Sequence, residues 1–191
     1  MPSIDSEDFN YYDYISRNEG VRRTPYADLY GNQTIGVGHL IKPGEKFTKL
    51  DDKQIRQLFD KDLDHAISVV KKDIGEDHWA VLPKRVKVAL ADLAFRTDWQ
   101  ISPNARGHFI NQDYYAFSKE LLNSDEYRRS KAEGTGIAPR MERNAQIVVD
   151  YANALQEGWD MPTAVEQRIR LTALQNKQNK ERPRSTPTSR G

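Results

Sequence analysis

Four side chains with chemical potential lie within one glycine-rich stretch near the start of the chain. Glu19 and Asp28 are carboxylates, Thr34 carries a hydroxyl, and His39 closes the stretch. Two carboxylates in different surroundings can divide acid and base work between them. Hydrolysis of a glycosidic bond needs such a pair, because one carboxylic acid protonates the leaving oxygen while the other carboxylate steadies positive charge or activates water. The hydroxyl of Thr34 can help to hold that water.

The first helix decides where Glu19 is placed. Residues 5–18 predict a helix, because Asp5 or Ser6 can cap its start and apolar side chains recur on one side. Gly20 is the residue type usually found just past a helix end. Glu19 is therefore expected at a helix terminus, which is a rigid place from which to aim a side chain.

The pattern changes after this helix and indicates two further elements. Residues 22–40 contain short β-prone pieces separated by Pro and Gly, and predict a hairpin or small antiparallel sheet with Gly31 and Asn32 in a turn. From Asp51 to about Lys72, apolar residues recur with helical spacing, which predicts a long helix with Asp51 as its N-cap.

The rest of the chain is predicted to be helical. A core helix that is apolar nearly all round is expected from Pro83 to about Phe95. Shorter helices are expected near 111–123 and 124–131, a longer one over about 139–156, and a last one from the capping box at Thr163 to about Asn176. The predicted fold class is α+β, mostly α, with a small antiparallel sheet lobe, a long inter-lobe helix and a helical bundle lobe.

Composition limits the chemistry that is available. The chain of 191 residues has no cysteine, which excludes disulfides and Cys-based metal sites or nucleophiles. The four histidines are scattered without ligand spacing, and no Gly-rich phosphate loop precedes a helix, so no metal and no cofactor is expected. No window approaches the ~18 apolar residues of a membrane span, and the acidic N-terminus is not expected to be a secretory signal peptide.

The motif resembles that of the phage-type lysozymes, glycoside hydrolase family 24. The resemblance is carried by three segments at that family's spacing, E-x8-D-x5-T: Glu19-Gly20 with Arg22, Tyr26-Ala27-Asp28, and Thr34-Ile35-Gly36-Val37-Gly38-His39. It implies that Glu19 is the general acid, that Asp28 is the second carboxylate, and that Thr34 positions the attacking water.

The resemblance extends beyond the motif. It implies that His39 pairs with Asp62 on the long helix, as a structural pair rather than a catalytic one. Leu40 and Phe95 are implied to line the substrate cleft. Arg140 is implied to lie near the acid, where its positive charge favours the ionised carboxylate.

Some residues depart from the family pattern. Met141 stands where a second Arg is common, and Asn144 stands where a Glu is common. Residues 40–50 form a short link between His39 and the long helix, which predicts a trimmed sheet lobe. These departures concern subsite details rather than the catalytic trio.

Each member of the trio also has an ordinary structural interpretation. Glu19 can be a surface residue at a helix end, Asp28 a turn-forming residue, and Thr34 a strand residue, since Thr favours strands. It is their joint spacing that favours the catalytic interpretation.

The expected domain organisation has three parts: a lysozyme-like catalytic domain over 1–160, an extra helix over 161–176 and a basic disordered tail over 177–191. Residues 168–191 hold seven Lys or Arg against one acid, a net charge of +6, which leaves −5 for the rest of a chain whose total is +1. The tail can bind an anionic polymer, nucleic acid or a virion partner, or it can be a solubilising terminus without a partner.

The implied function is that of a peptidoglycan hydrolase, a muramidase that cleaves the β-1,4 bond between N-acetylmuramic acid and N-acetylglucosamine during phage lysis or virion entry. Two alternatives remain: a lytic transglycosylase, and a virion structural or ejection protein that keeps a lysozyme fold. The expected location is the host cytoplasm with release to the cell wall, or the virion itself.

Overall fold

The computed structural model of the protein describes residues 9–28 and 31–158. The predicted helix over 161–176 and the basic tail over 177–191 lie outside the described residues, as do Asp5 and Ser6, the predicted caps of the first helix.

Nine helices and three strands are formed by the described residues. In chain order they are α1 (Tyr11–Glu19), β1 (Arg22–Ala27), β2 (Gln33–Gly36), β3 (His39–Leu40), α2 (Asp52–Ile74), α3 (Glu76–Val81), α4 (Lys84–Phe95), α5 (Asp98–Ile101), α6 (Pro103–Ile110), α7 (Tyr114–Leu121), α8 (Asp125–Glu133) and α9 (Ile137–Gln156).

The first helix begins later than its sequence pattern predicts. Asn10 is the N-cap of α1, and its side-chain oxygen accepts a hydrogen bond from the backbone N–H of Asp13 at 2.8 Å. That bond satisfies a free donor of the first turn. Residues 9 and 10 therefore precede the helix, and the prediction that they belong to it is wrong. The end of the helix at Glu19 agrees with the prediction.

The three strands form one antiparallel sheet in the order β1-β2-β3. Thr34 on the central strand lies opposite Tyr26 on β1 and opposite Leu40 on β3. Cross-strand partners project to the same face of a sheet, so these three side chains form one row. The pairing of β1 with β2 is irregular between Arg22 and Tyr26, a segment that contains Pro25, which has no N–H to donate to the ladder.

Two hydrophobic cores share helix α2. Its N-terminal half contributes Ile55, Phe59 and Leu63 to a sheet-lobe core that also contains Ile15, Ile35, Val37, Leu50 and Ala91. Its C-terminal half contributes Ala66 and Val70 to a larger helical-lobe core built around α4 and α9. At ~1.5 Å per residue the helix is about 35 Å long, which is enough to connect the two lobes.

The helical lobe follows the prediction at its centre and departs from it between the long helices. Eight of the twelve residues of α4 are buried, which confirms the predicted core helix. Helices α3, α5 and α6 were not predicted, and the helix expected over 111–123 is confined to Tyr114–Leu121. The missed helices are four to eight residues long, too short to show a full hydrophobic repeat. The α+β class, mostly α, is confirmed.

Candidate active site

Glu19 is the last residue of α1 and is held by the backbone turn that ends the helix. Gly20 takes a positive φ of 73°, and its N–H donates to the carbonyl of Ser16 at 2.8 Å. The Glu19 side chain is 20% exposed. A helix end fixed in this way gives the carboxylate a defined position and leaves one side of it open.

Gly38, in the turn between β2 and β3, lies against this carboxylate. A Cβ at residue 38 would be 3.1 Å from Oε2 of Glu19, and the residue has a φ of 73°. Both facts favour glycine, because a side chain would crowd the acid and strain the backbone. The sheet lobe therefore reaches the end of α1 at this point.

Arg140, near the start of α9, holds the other oxygen of Glu19. Its Nη1 donates to Oε1 of Glu19, and its Nε and Nη2 each donate to a carboxylate oxygen of Asp92 at 2.8 Å. Burial works to lower the pKa of Arg140, but the hydrogen bonds and charges of Asp92 and Glu19 outweigh it and raise the pKa above its usual range. The guanidinium is thus a permanent cation shared by two carboxylates. Asp92 was not singled out from the sequence.

Asp28 closes the turn between β1 and β2. Its Oδ1 accepts from the backbone N–H of Asn32 at 2.8 Å, its Oδ2 accepts from the Asn32 side chain at 3.1 Å, and its own N–H donates to the carbonyl of Asn32. The carboxylate is partly exposed. These contacts are the turn-forming role that Asp often takes, and they also fix the carboxylate beside the row that contains Thr34.

Thr34 is buried at 5% exposure in the middle strand. Its Oγ1 donates to the carbonyl oxygen of Asn32 at 3.3 Å. Because a hydroxyl has one proton and two lone pairs, this contact leaves the oxygen able to accept a hydrogen bond from a water.

Tyr26 connects the two carboxylates electrostatically. Burial raises the pKa of its phenol, and the negative charges of Glu19 and Asp28 raise it further, while the positive charge of Arg22 opposes them. The guanidinium of Arg22 lies 5.7 Å from the centre of the Tyr26 ring. The charges of Glu19 and Asp28 therefore both act on this one phenol.

A cleft of about 180 Å³ runs between the sheet lobe and the helical lobe. Leu40 and Phe95 both line it, together with Gly38, His39 and Asp62. Leu40 is an exposed apolar side chain with 51% of its surface accessible. A larger cavity of about 420 Å³ lies on the helical lobe, between α6 and α8, and contains none of the predicted site residues. We take the smaller cleft as the candidate site, because Gly38 joins it to Glu19.

His39 and Asp62 are brought together, with a third partner that the sequence did not indicate. Nδ1 of His39 lies 2.7 Å from Oδ2 of Asp62, and Nε2 lies 3.0 Å from Oε2 of Glu45. The backbone N–H of Lys42 also donates to Glu45. This hydrogen bond is the largest cause that lowers the pKa of the Glu45 carboxyl, and the hydrogen bond with His39 is the second. The buried imidazole therefore ties β3 and the following loop to α2.

The structure thus brings two groups of predicted residues together. Glu19 and Arg140 meet at the end of α1, whereas Leu40, Phe95 and the His39–Asp62 pair line the cleft. Asp28 and Thr34 lie in the sheet lobe, in the turn after β1 and on the central strand. Among the described residues, none of the helices has the length and apolar character needed to cross a membrane.

Two lobes joined by one long helix, with a cleft between them, place the molecule in the lysozyme-like class of α+β folds. The family model described as Phage lysozyme matches residues 16–133, more than half of the chain, and the chain belongs to that family. It is accordingly a peptidoglycan-lytic enzyme of the lysozyme type. A search of the curated proteins finds no match to the chain.

Proposed function

We propose that the protein is an N-acetylmuramidase that hydrolyses the β-1,4 bond between N-acetylmuramic acid and N-acetylglucosamine. Membership of the family supports the reaction class. The observation that carries the assignment of residues is the position of Glu19, which ends a helix, contacts the Gly38 turn and adjoins the cleft.

Glu19 is the general acid of this proposal. Its Oε1 accepts a hydrogen bond from Arg140, which has no lone pair to accept one in return. The transferable proton therefore resides on Oε2, the oxygen that lies beside Gly38. From there it is delivered to the glycosidic oxygen as the bond to the sugar breaks.

Asp28 and Thr34 act on the other side of the reacting sugar. The Asp28 carboxylate, fixed by Asn32, steadies the positive charge that develops on the sugar ring or activates the attacking water. Thr34 accepts a hydrogen bond from that water through the free lone pairs of its hydroxyl oxygen.

Leu40 and Phe95 form the walls against which the sugars pack. They lie on opposite lobes, at the end of β3 and the end of α4, and both line the cleft. Apolar side chains can cover the C–H faces of sugar rings, while the sugar hydroxyls stay in contact with water and polar groups.

The biological setting that we infer is lysis of a bacterial host by a phage, or opening of its wall by a virion-borne enzyme.

The basic segment over 177–191 is proposed as a tether to anionic wall polymers, to nucleic acid or to a virion partner, on the basis of its charge alone. Its removal should weaken binding to polyanions at low salt, where screening is least, and leave turnover of soluble fragments unchanged.

Mass spectrometry of the products formed from purified peptidoglycan tests the reaction. We expect fragments that end in a reducing N-acetylmuramic acid. Anhydro ends would identify a lytic transglycosylase, and an intact polymer would identify a binding or structural protein.

Glu19→Gln tests the assignment of the acid. The amide keeps the shape of the side chain but cannot supply the proton, so the rate should fall by ~10²–10⁴-fold. Glu133→Gln, an exchange of the same kind at the exposed end of α8, is the matched control and should retain the wild-type rate. Equal rates for Glu19→Gln and wild type would refute the role of Glu19.

A further inference from the structure

Asp92 is an acidic residue in the middle of the buried helix α4. It has no exposed surface, and its neighbours Ala91, Leu93 and Ala94 are buried apolar residues. An isolated charge in such a place is costly unless it is paired and hydrogen-bonded. Its partners should therefore show why it is there.

Four N–H donors converge on the two oxygens of Asp92. Oδ1 accepts from Nη2 of Arg140 at 2.8 Å and from the side chain of Asn18 at 3.3 Å. Oδ2 accepts from Nε of Arg140 at 2.8 Å and from the side chain of Asn144 at 2.7 Å. Because all four partners donate an N–H, the side chain of Asp92 acts only as an acceptor, as an ionised carboxylate does.

The residue at position 144 fits this arrangement. Asn144 donates its amide to Asp92 and accepts on its oxygen from the hydroxyl of Tyr14 at 2.7 Å. A Glu at position 144, which the resemblance makes the common residue, could only turn further oxygens toward the buried carboxylate of Asp92. Asn144, which departs from the family pattern, therefore supplies the N–H donor that the buried carboxylate of Asp92 needs.

We propose that Asp92 is a positioning residue for the general acid, an inference that rests on the proposed function of Glu19. Its bidentate contact fixes the plane of the Arg140 guanidinium, so that Nη1 meets Oε1 of Glu19. Its negative charge also offsets the charge of Arg140. Arg140 can then hold Glu19 in place without imposing a full uncompensated positive charge on a group that must carry a proton.

The other charged groups around Glu19 come from three elements. Tyr26 and Arg22 belong to β1, Asp28 to the turn that follows it, and Arg143 to α9, where it donates to Asn18 at 2.6 Å. The guanidinium of Arg143 thus bonds to Asn18 and not to Glu19. None of these groups donates a hydrogen bond to Glu19 in the described part of the chain, whereas Arg140 does. Arg96 and Asp98 act on Arg140 with opposite charges, and Asp92 is the buried carboxylate that contacts its guanidinium directly.

Asp92→Asn is the direct test, with kcat/KM measured against pH on soluble peptidoglycan fragments. The amide keeps the size of the side chain but removes the charge that offsets Arg140. The acid should then lose its proton more readily, because an uncompensated cation favours the charged form of a carboxylate. We expect the alkaline limb of the profile to move down by about one pH unit, which is a loss of about tenfold on that limb.

Asp73→Asn is the control. Asp73, near the end of α2, accepts from Nε1 of Trp99 at 2.8 Å and pairs with Arg106 at 3.6 Å, and neither partner contacts Glu19 or Arg140. Its exchange should lower the melting temperature without moving the pH profile. A purely structural role for Asp92 predicts the same result for both variants, namely lower stability and an unchanged limb.

If Asp92→Asn alone fails to fold, the proposal is tested by comparing Arg140→Gln with the double variant. Arg140→Gln leaves the charge of Asp92 uncompensated and should move the alkaline limb to higher pH. The double variant with Asp92→Asn removes both charges and should move the limb back toward the wild-type position. Superimposable profiles for the single and double variants would overturn the proposal, whereas an inactive wild type would overturn the proposed function instead.

Discussion

At residue 28, one carboxylate has two tasks that can be separated. Its oxygens close the turn by accepting from the backbone and the side chain of Asn32, and its negative charge, like that of Glu19, raises the pKa of Tyr26. The turn requires an acceptor, whereas the proposed chemistry requires a negative charge. An amide supplies the first without the second.

Asp28→Asn is expected to keep the turn and lose the reaction. Oδ1 still accepts from the backbone N–H of Asn32, so the free energy of unfolding should change by no more than about 1 kcal/mol. The rate of peptidoglycan hydrolysis should fall on the order of 10²-fold, because the stabilising charge is gone.

Asp28→Ala is the companion variant, since it removes the acceptor as well. It should lose activity to a similar extent and cost about 1–2 kcal/mol of stability in addition. Wild-type activity in Asp28→Asn would show that residue 28 serves the turn alone.

The proposed trio of residues 19, 28 and 34 could be singled out from the sequence because its members lie close together in the chain. Asp92 was not, because it stands in an apolar run and its partner Arg140 lies 48 residues away. Glu45 was missed for a similar reason. Its loop carries no periodic pattern that would indicate which way its side chain faces, and its contact with His39 depends on how that loop folds back.

At the scale of elements, one buried imidazole adds a polar link between the sheet lobe and α2. His39 contacts Asp62 on α2 and Glu45 in the loop that follows β3. The sheet has three short strands, so packing against a helix contributes to its stability. The sheet-lobe core joins the two elements by apolar packing, which is not directional. The imidazole adds hydrogen bonds, which fix how the two elements are oriented.

A double-mutant cycle with His39→Asn and Asp62→Asn measures this link. We expect a coupling free energy of about 1–3 kcal/mol in urea unfolding at mildly acidic pH, as for a hydrogen bond to a charged and partly buried group. The exposed pair Arg56–Asp60 on the same helix, with Nε and Oδ1 3.2 Å apart, is the control and should give about 0.5 kcal/mol or less. Equal coupling in both cycles would contradict the role of His39.

Helices were predictable from sequence to the extent that their signals are local. The N-cap of α2 at Asp51 was predictable because its signal is local; the structure adds the reciprocal contact of Gln54, three residues further on, which completes a capping box. The start of α1 was not predictable, since Asp5, Ser6 and Asn10 are all competent caps. The cap that is observed is Asn10, which accepts from the backbone N–H of Asp13.

Over the whole molecule, stability depends on a helical-lobe core that contains one buried histidine. His78 on α3 is 3% exposed, lies 3.0 Å from the hydroxyl of Tyr114 through its Nε2, and stacks on Phe109 with ring centres 5.7 Å apart. Burial lowers the pKa of His78 to about 4. The unfolded chain, with a histidine pKa of ~6.5, binds this proton first as the pH falls.

The folded state should therefore lose stability through His78 as the pH falls from about 6.5 to about 4, and keep the full contribution above that window. Relative to His78→Phe, which cannot take a proton, the wild type should lose about 2–3 kcal/mol between pH 7 and pH 4.5. Urea unfolding at both values gives the difference. A difference between His78→Phe and wild type that is the same at both pH values would refute the assignment.

The contact between Glu19 and Arg140 spans 121 residues of the chain, and that between Tyr14 and Asn144 spans 130. A ribosome adds roughly 5–20 residues per second, so Arg140 is made on the order of ten seconds after Glu19. During that time α1 has no α9 to receive it, and the acid has no guanidinium. The sheet lobe can form early from neighbouring segments, but the candidate site is completed by one of the last described segments to be synthesised. A growing chain thus carries no assembled site until α9 has been made.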